Sequence, residues 1–66
     1  MSVAKVTELT AGSSKSFEDA IKKGLSRASE TLEQVEGAWI QDMKVLVKDG
    51  KIDEYRVNMK VTFVIR

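Results

Sequence analysis

The last third of the chain alternates. Tyr55, Val57, Met59, Val61, Phe63 and Ile65 share one phase, and Glu54, Arg56, Asn58, Lys60 and Thr62 share the other. Successive side chains of a strand point to opposite faces, so this stretch predicts a strand over Ile52–Ile65 with its apolar face on a core. Just upstream, Lys48-Asp49-Gly50-Lys51 separates two apolar-patterned runs. Asp-Gly suits a type I′ turn, whose central residues need positive φ, and so predicts a hairpin with Ala38–Val47 as its first arm.

Earlier in the chain the period changes. Phe17, Ala20, Ile21, Gly24, Leu25, Ala28, Leu32 and Val35 recur at spacings of three and four, with Lys22, Lys23, Ser26, Arg27, Ser29, Glu30 and Glu33 opposite. That is the stripe of an amphipathic helix. Ser16 reads as its N-cap, Asp19 three residues on as a variant capping box, and Glu18 and Asp19 suit the positive end of the helix dipole. Gly37 is expected to end the segment. Gly24 costs about 1 kcal/mol against Ala in helix propensity, and the expected return is close approach of another backbone, in the sheet or in a neighbouring subunit. Val3–Leu9 reads as a first strand and Ala11-Gly12-Ser13-Ser14 as a turn-rich connector.

The middle strand slips phase. Ala38 and Ile40 share one parity, while Met43, Val45 and Val47 share the other. A β-bulge near Gln41-Asp42 would bring both groups to the helix side and leave Gly37, Trp39 and Asp42 on the opposite side or at the bend. Without a bulge, Trp39 joins Met43 and Val45 in the core. Trp39, the only tryptophan, is accordingly either a core or interface aromatic or a stacking platform for a planar ligand. Arg56 is either a solvated or salt-bridged residue or a donor fork for phosphate, carboxylate or a ring carbonyl.

Lengths argue for self-association. A helix of about 19 residues spans roughly 28 Å, whereas a strand of about 14 residues spans roughly 46 Å. One helix cannot cover such a hairpin, and a three-stranded sheet has two open edges that must be paired, covered or charged. With 66 residues the chain reads as a single domain over 1–66. A core of that size supplies only about 3–5 kcal/mol. The sequence has no cysteine and no histidine, which excludes disulfides, thiolate or imidazole metal sites and His-based acid–base chemistry. Oligomerisation is the remaining stabiliser, and closed symmetric assembly is its commonest form.

Charge and motifs narrow the function. Eleven basic and ten acidic residues leave a net charge of +1 with no Lys/Arg cluster, which does not describe a nucleic-acid binder. No apolar run approaches the ~20 residues of a membrane span, and the N-terminus has no signal-peptide pattern. A soluble cytoplasmic protein is expected. There is no phosphate loop and no nucleophile motif, so no catalytic residues are assigned and the protein is not expected to be an enzyme. The pairs Glu18/Asp19, Asp53/Glu54 and Glu30/Glu33 have ordinary explanations as helix-start, turn and solvated-face charges. A calcium site shared across subunits by Asp42, Asp53 or Glu54 is an open alternative.

Taken in order, these stretches resemble the dodecins over nearly the whole chain. The resemblance rests on the first strand with its connector, Ser16-Phe17-Glu18-Asp19-Ala20, Leu25-Ser26-Arg27-Ala28-Ser29-Glu30-Thr31-Leu32, Asp49-Gly50-Lys51-Ile52, and Glu54-Tyr55-Arg56-Val57-Asn58-Met59-Lys60-Val61-Thr62-Phe63. It implies an α+β fold, a β-α-β-β subunit with a three-stranded antiparallel sheet wrapped on one long helix, assembled into a hollow homododecamer. It also implies storage or buffering of riboflavin or FMN. In such proteins two flavin rings stack about a subunit two-fold between tryptophans, and a last-strand glutamine bonds the ring edge. Some members bind coenzyme A, and one branch is described as calcium-binding.

Two positions depart from that pattern. The stacking tryptophan aligns with Gly37 and the glutamine with Arg56, while the acidic residue five after the tryptophan is retained as Asp42. Stacking on an aromatic ring is worth about 1–3 kcal/mol per base in nucleic-acid complexes, and a glycine supplies none of it. Trp39, two residues on, shares a face with Gly37 in a regular strand and would either reach the same two-fold pocket or fill it. The candidate cofactor-binding set is Gly37, Trp39, Gln41, Asp42 and Arg56. The alternative is a flavin-free shell that binds calcium, coenzyme A or another anion, or is purely structural.

Overall fold

Four elements follow the expected order in the structure, a computed structural model that describes residues 3–32 and 34–65. They are β1 (Val3–Ser13), α1 (Phe17–Thr31), β2 (Val35–Lys48) and β3 (Lys51–Ile65). The three strands form one antiparallel sheet in the order β1-β3-β2, with β3 in the centre. Lys48-Asp49-Gly50-Lys51 makes the hairpin, and Asp49 and Gly50 carry φ of 52° and 72°, the positive angles a type I′ turn requires.

The helix starts as its sequence dictates and ends earlier. The Ser16 hydroxyl accepts the Asp19 backbone N–H at 2.9 Å. The Asp19 carboxylate does not close a capping box. It accepts the Ser13 hydroxyl at 2.5 Å, and Ser13 Oγ in turn accepts the Lys15 backbone N–H at 2.9 Å. The Ser13 hydroxyl, with Lys23 and Lys15, holds the Asp19 carboxyl below its ordinary range against the opposing effect of burial. At the other end Leu32 is extended, and Gln34 has a φ of 51°. Gln34 therefore turns the chain, where Gly37 was expected to. Leu32 and Val35 keep the three- and four-residue spacing but have left the helix. Val35 is already in β2, opposite Phe63. Both still face the same core, which is why the apolar period runs past the helix end. Glu33, assigned to the polar helix face, lies outside the described residues.

The first strand is also longer than its apolar residues suggest. Ala11, Gly12 and Ser13 are strand residues opposite Val57, Arg56 and Tyr55, not a connector. The turn chemistry begins only after Ser13.

The core lies between α1 and the β1–β3 part of the sheet. Ala20, Ala28, Val57, Met59 and Val61 are buried, with Leu9, Ala11, Phe17, Ile21, Leu25, Leu32, Val35 and Ile40 packed around them. Phe17 meets Tyr55 edge-on, ring centroids 5.1 Å apart. Gly24 sits at the closest approach of helix and sheet. A Cβ there would lie 2.5 Å from Met59 Cε and 3.0 Å from Ala11 Cβ. The close neighbours of Gly24 are thus sheet side chains, where a backbone was anticipated.

The molecule is 51 Å long, whereas a 15-residue helix covers only about 22 Å. The hairpin runs well beyond it, and Met43, Val45, Val47 and Ile52 stand exposed.

Candidate ligand-binding site

Register decides which polar side chains share the sheet face away from the helix. On β1 and β3 the buried residues fix the inner face, so Val6, Glu8, Thr10 and Gly12 lie outward opposite Thr62, Lys60, Asn58 and Arg56. On β2, Gly37, Trp39, Asp42 and Lys44 lie outward opposite the same four β3 residues. Each of these four β3 residues is therefore flanked on both sides, giving four cross-sheet rows.

A bulge makes this possible. Pairing skips from Ile40 opposite Met59 to Asp42 opposite Asn58, leaving Gln41 as the extra residue. Trp39 and Asp42 have opposite parity, so in a regular strand they would face opposite sides. The bulge brings them onto one face and puts Ala38, Ile40, Met43 and Val45 opposite Val61, Met59, Val57 and Tyr55 on the inner one. Two further irregularities, between Val35 and Gly37 and between Leu46 and Val47, bracket the strand. Trp39 is not a core residue of the subunit: 67% of its surface is exposed.

Two rows meet around Trp39. In the first, the ammonium of Lys60 lies 5.8 Å from the centroid of the Trp39 ring, and Val6, Glu8 and Thr62 complete an open cleft of about 420 Å³. In the second, Asn58 bridges the whole sheet. Its amide donates to Asp42 Oδ2 at 3.0 Å and its carbonyl oxygen accepts the Thr10 hydroxyl at 2.8 Å. Gln41, Asp42, Asn58 and Lys60 border the adjoining depression. The arrangement offers a flat π surface, an ammonium group, and carboxylate and amide acceptors along one edge.

Of the candidate residues, Gly37, Trp39 and Asp42 share this face, and Gln41 is the bulge between the last two. Gly37 presents open space: among the described residues, its chain neighbours aside, nothing lies within 4 Å of the point where its Cβ would stand. Arg56 is on the same face but apart. It lies four strand residues from Lys60, or about 13 Å, and its guanidinium is held by Glu54, with Nη2 2.6 Å and Nε 2.8 Å from Oε2. The Glu54 carboxylate occupies the space beside Gly12, where a Cβ would meet it at 2.7 Å. Arg56 thus reads as a salt-bridged residue within one subunit. Among the described residues, no three carboxylates converge as a metal cluster. Lys60, Asn58, Thr10 and Glu8 were not singled out by the sequence. The polar phase of β3 marked Lys60 and Asn58 as outward, but their neighbours depend on the β1 register.

The architecture is that of a small β-α-β-β unit whose outward sheet face carries the polar and aromatic chemistry. The family model for dodecin matches residues 3–66, and the chain belongs to the dodecin family. Solved structures agree. Dodecin from Streptomyces davaonensis is 29% identical with a TM-score of 0.95, over 98% of this chain and 96% of that one. A protein from Thermus thermophilus is 27% identical with a TM-score of 0.94, over 100% and 97%. A calcium-chelating dodecin from Mycobacterium tuberculosis is 29% identical with a TM-score of 0.85, over 97% and 91%. No curated protein matches the chain significantly. Among the described residues no helix is long and apolar enough to cross a membrane.

Proposed function

We propose that the protein is a non-catalytic homododecameric shell that binds a flavin, riboflavin or FMN, or a related planar cofactor, on the Trp39 face where subunits meet about a two-fold. The observation that carries this reading is the outward, two-thirds exposed Trp39 on a strand of a dodecin-family chain. Gly37 leaves room beside it, so the stacking surface is displaced by two residues while staying on the same face. Asp42, on the same face, supplies a carboxylate acceptor that suits a ring N–H. Assembly is supported by the hairpin that outruns the helix and by the exposed Met43, Val45, Val47 and Ile52, which need cover from a second copy.

The test is titration of the purified protein with riboflavin and FMN, following flavin and tryptophan emission, alongside light scattering. Binding with quenching of both emissions in a dodecamer-sized particle is expected. A monomer mass at micromolar subunit concentration refutes the assembly, and unquenched flavin at high micromolar protein refutes the ligand.

A second reading, a flavin-free shell that takes calcium, is favoured by the calcium-chelating relative and by Asp42. Asp42 would contribute from each of several subunits, because the described residues of one subunit supply no cluster. A melting temperature that rises with calcium and ignores both flavins would select it. The same measurement with coenzyme A separates an anion-binding shell from both.

A further inference from the structure

Lys60 stands between the two outward depressions. It borders the Trp39 cleft on one side and the Asp42–Asn58 depression on the other. Its ammonium lies over the Trp39 ring, 5.8 Å from the centroid. Among the described residues no carboxylate oxygen is paired with it at ion-pair distance. Glu8 is its cross-strand neighbour and the one carboxylate among the residues lining the Trp39 cleft.

That placement has a consequence for any flat ligand that stacks on Trp39. An uncharged, electron-poor ring competes with the ammonium for the same indole π density, since a cation over a ring draws on its quadrupole. A ring bearing an anionic group does not simply compete. Its negative charge gives the ammonium a better partner than the indole, so the lysine swings from competitor to ligand contact without leaving the cleft. Lysine suits this role, being a compact charge on a flexible stem.

We propose that Lys60 makes the Trp39 cleft selective for planar ligands that carry an anionic group, such as a phosphate ester, over their uncharged counterparts, and that Glu8 limits that selectivity. This rests on the reading of Trp39 as a stacking platform. The preference is set by one partly exposed charge pair, so it amounts to about two- to fivefold in affinity.

Paired titrations of the assembled protein with riboflavin and FMN test it, at low salt and at about 1 M salt, where the screening length falls to roughly 3 Å. At low salt FMN binds the tighter, and high salt closes the gap. Lys60→Met, which keeps the aliphatic stem, brings the FMN-to-riboflavin ratio to about one. Lys60→Arg retains the preference, and Glu8→Gln widens it. Equal affinities in the unaltered protein at low salt, or a ratio unmoved by Lys60→Met, overturn the proposal. If neither flavin binds, the Trp39 platform itself is refuted and the selectivity falls with it. The salt series uses the unaltered protein, so the outcome does not depend on any variant folding.

Discussion

Gly24→Ala is the most discriminating perturbation of the helix–sheet contact, because two opposing effects of known size meet at one atom. Replacing glycine inside a helix ordinarily stabilises by about 1 kcal/mol. Here the added methyl would lie 2.5 Å from Met59 Cε, 3.0 Å from Ala11 Cβ and 3.3 Å from Leu9 Cδ1. Carbon atoms in good contact are about 3.5–4.0 Å apart, so the Met59 methyl must retreat by about 1 Å or more. Met59 is 1% exposed, so its methyl moves only by repacking against its core neighbours. Ala11 Cβ is fixed to its strand. Overpacking of this kind costs about 1–3 kcal/mol, and the net is a loss of about 0–2 kcal/mol. The cycle with Met59→Ala sharpens the sign. Alone, that truncation should cost about 2–5 kcal/mol. Combined with Gly24→Ala it should cost at least about 1 kcal/mol less, because the new methyl fills part of the cavity and the clash is gone. Denaturant unfolding followed by far-UV circular dichroism reads all four proteins, at one fixed subunit concentration since assembly stabilises by mass action. A Gly24→Ala protein stabilised by the full helix-propensity gain, with effects additive in the double variant, would refute the close approach.

Three further outcomes are expected. Stability should decline in acid through Asp19: its carboxyl is held below its ordinary range in the folded state, so its contribution is complete above that range and is lost as pH falls through the lowered folded value. Asp19→Asn should flatten that part of a pH series of unfolding midpoints. Deleting Gln41 should turn either Trp39 or the Asp42–Lys44 segment to the wrong face, visible as a blue-shifted tryptophan emission or as loss of the Asp42–Asn58 contact by amide NMR. Gly12→Ala should displace the Glu54 carboxylate from its position 2.7 Å away while costing less than about 1 kcal/mol, since a flexible side chain yields. The Arg56 Nε–H resonance reports whether its ion pair is disturbed.

Much of this fold was legible because its strongest signals are local. The even and odd positions of β3, the Asp49-Gly50 turn and the Ser16 cap each reflect chemistry within a few residues. The slipped phase at Gln41 was also visible, since a bulge leaves both of its flanking apolar groups in the sequence. What misled was apolar residues beyond an element that serve the same core. Leu32 and Val35 continued the helical period from a cap and a strand, and Ala11, Gly12 and Ser13 looked like a turn while pairing across the sheet. The site was half legible for a related reason. Trp39 and Asp42 announce themselves by residue type, and their common face followed once the bulge was inferred. Lys60 and the Thr10–Asn58–Asp42 bridge depend on how β1 registers on β3, a long-range pairing that no short stretch encodes. Arg56 drew notice as a donor, but the partner that occupies it is two residues away on its own strand, a same-face neighbour easily overlooked.

The bulge at Gln41 also sets a rule for how a contact can wander along β2. Before it, the outward positions are the odd numbers 37 and 39; after it, they are the even numbers 42 and 44. An aromatic residue can therefore move between Gly37 and Trp39, or across to Asp42 or Lys44, and still present its ring to the same surface. A move by a single residue within either arm turns it to the inner, helix-side phase instead. The strand thus offers a small set of interchangeable addresses on one wall, and a lineage can relocate its stacking residue by paired substitutions without redesigning the sheet that carries it.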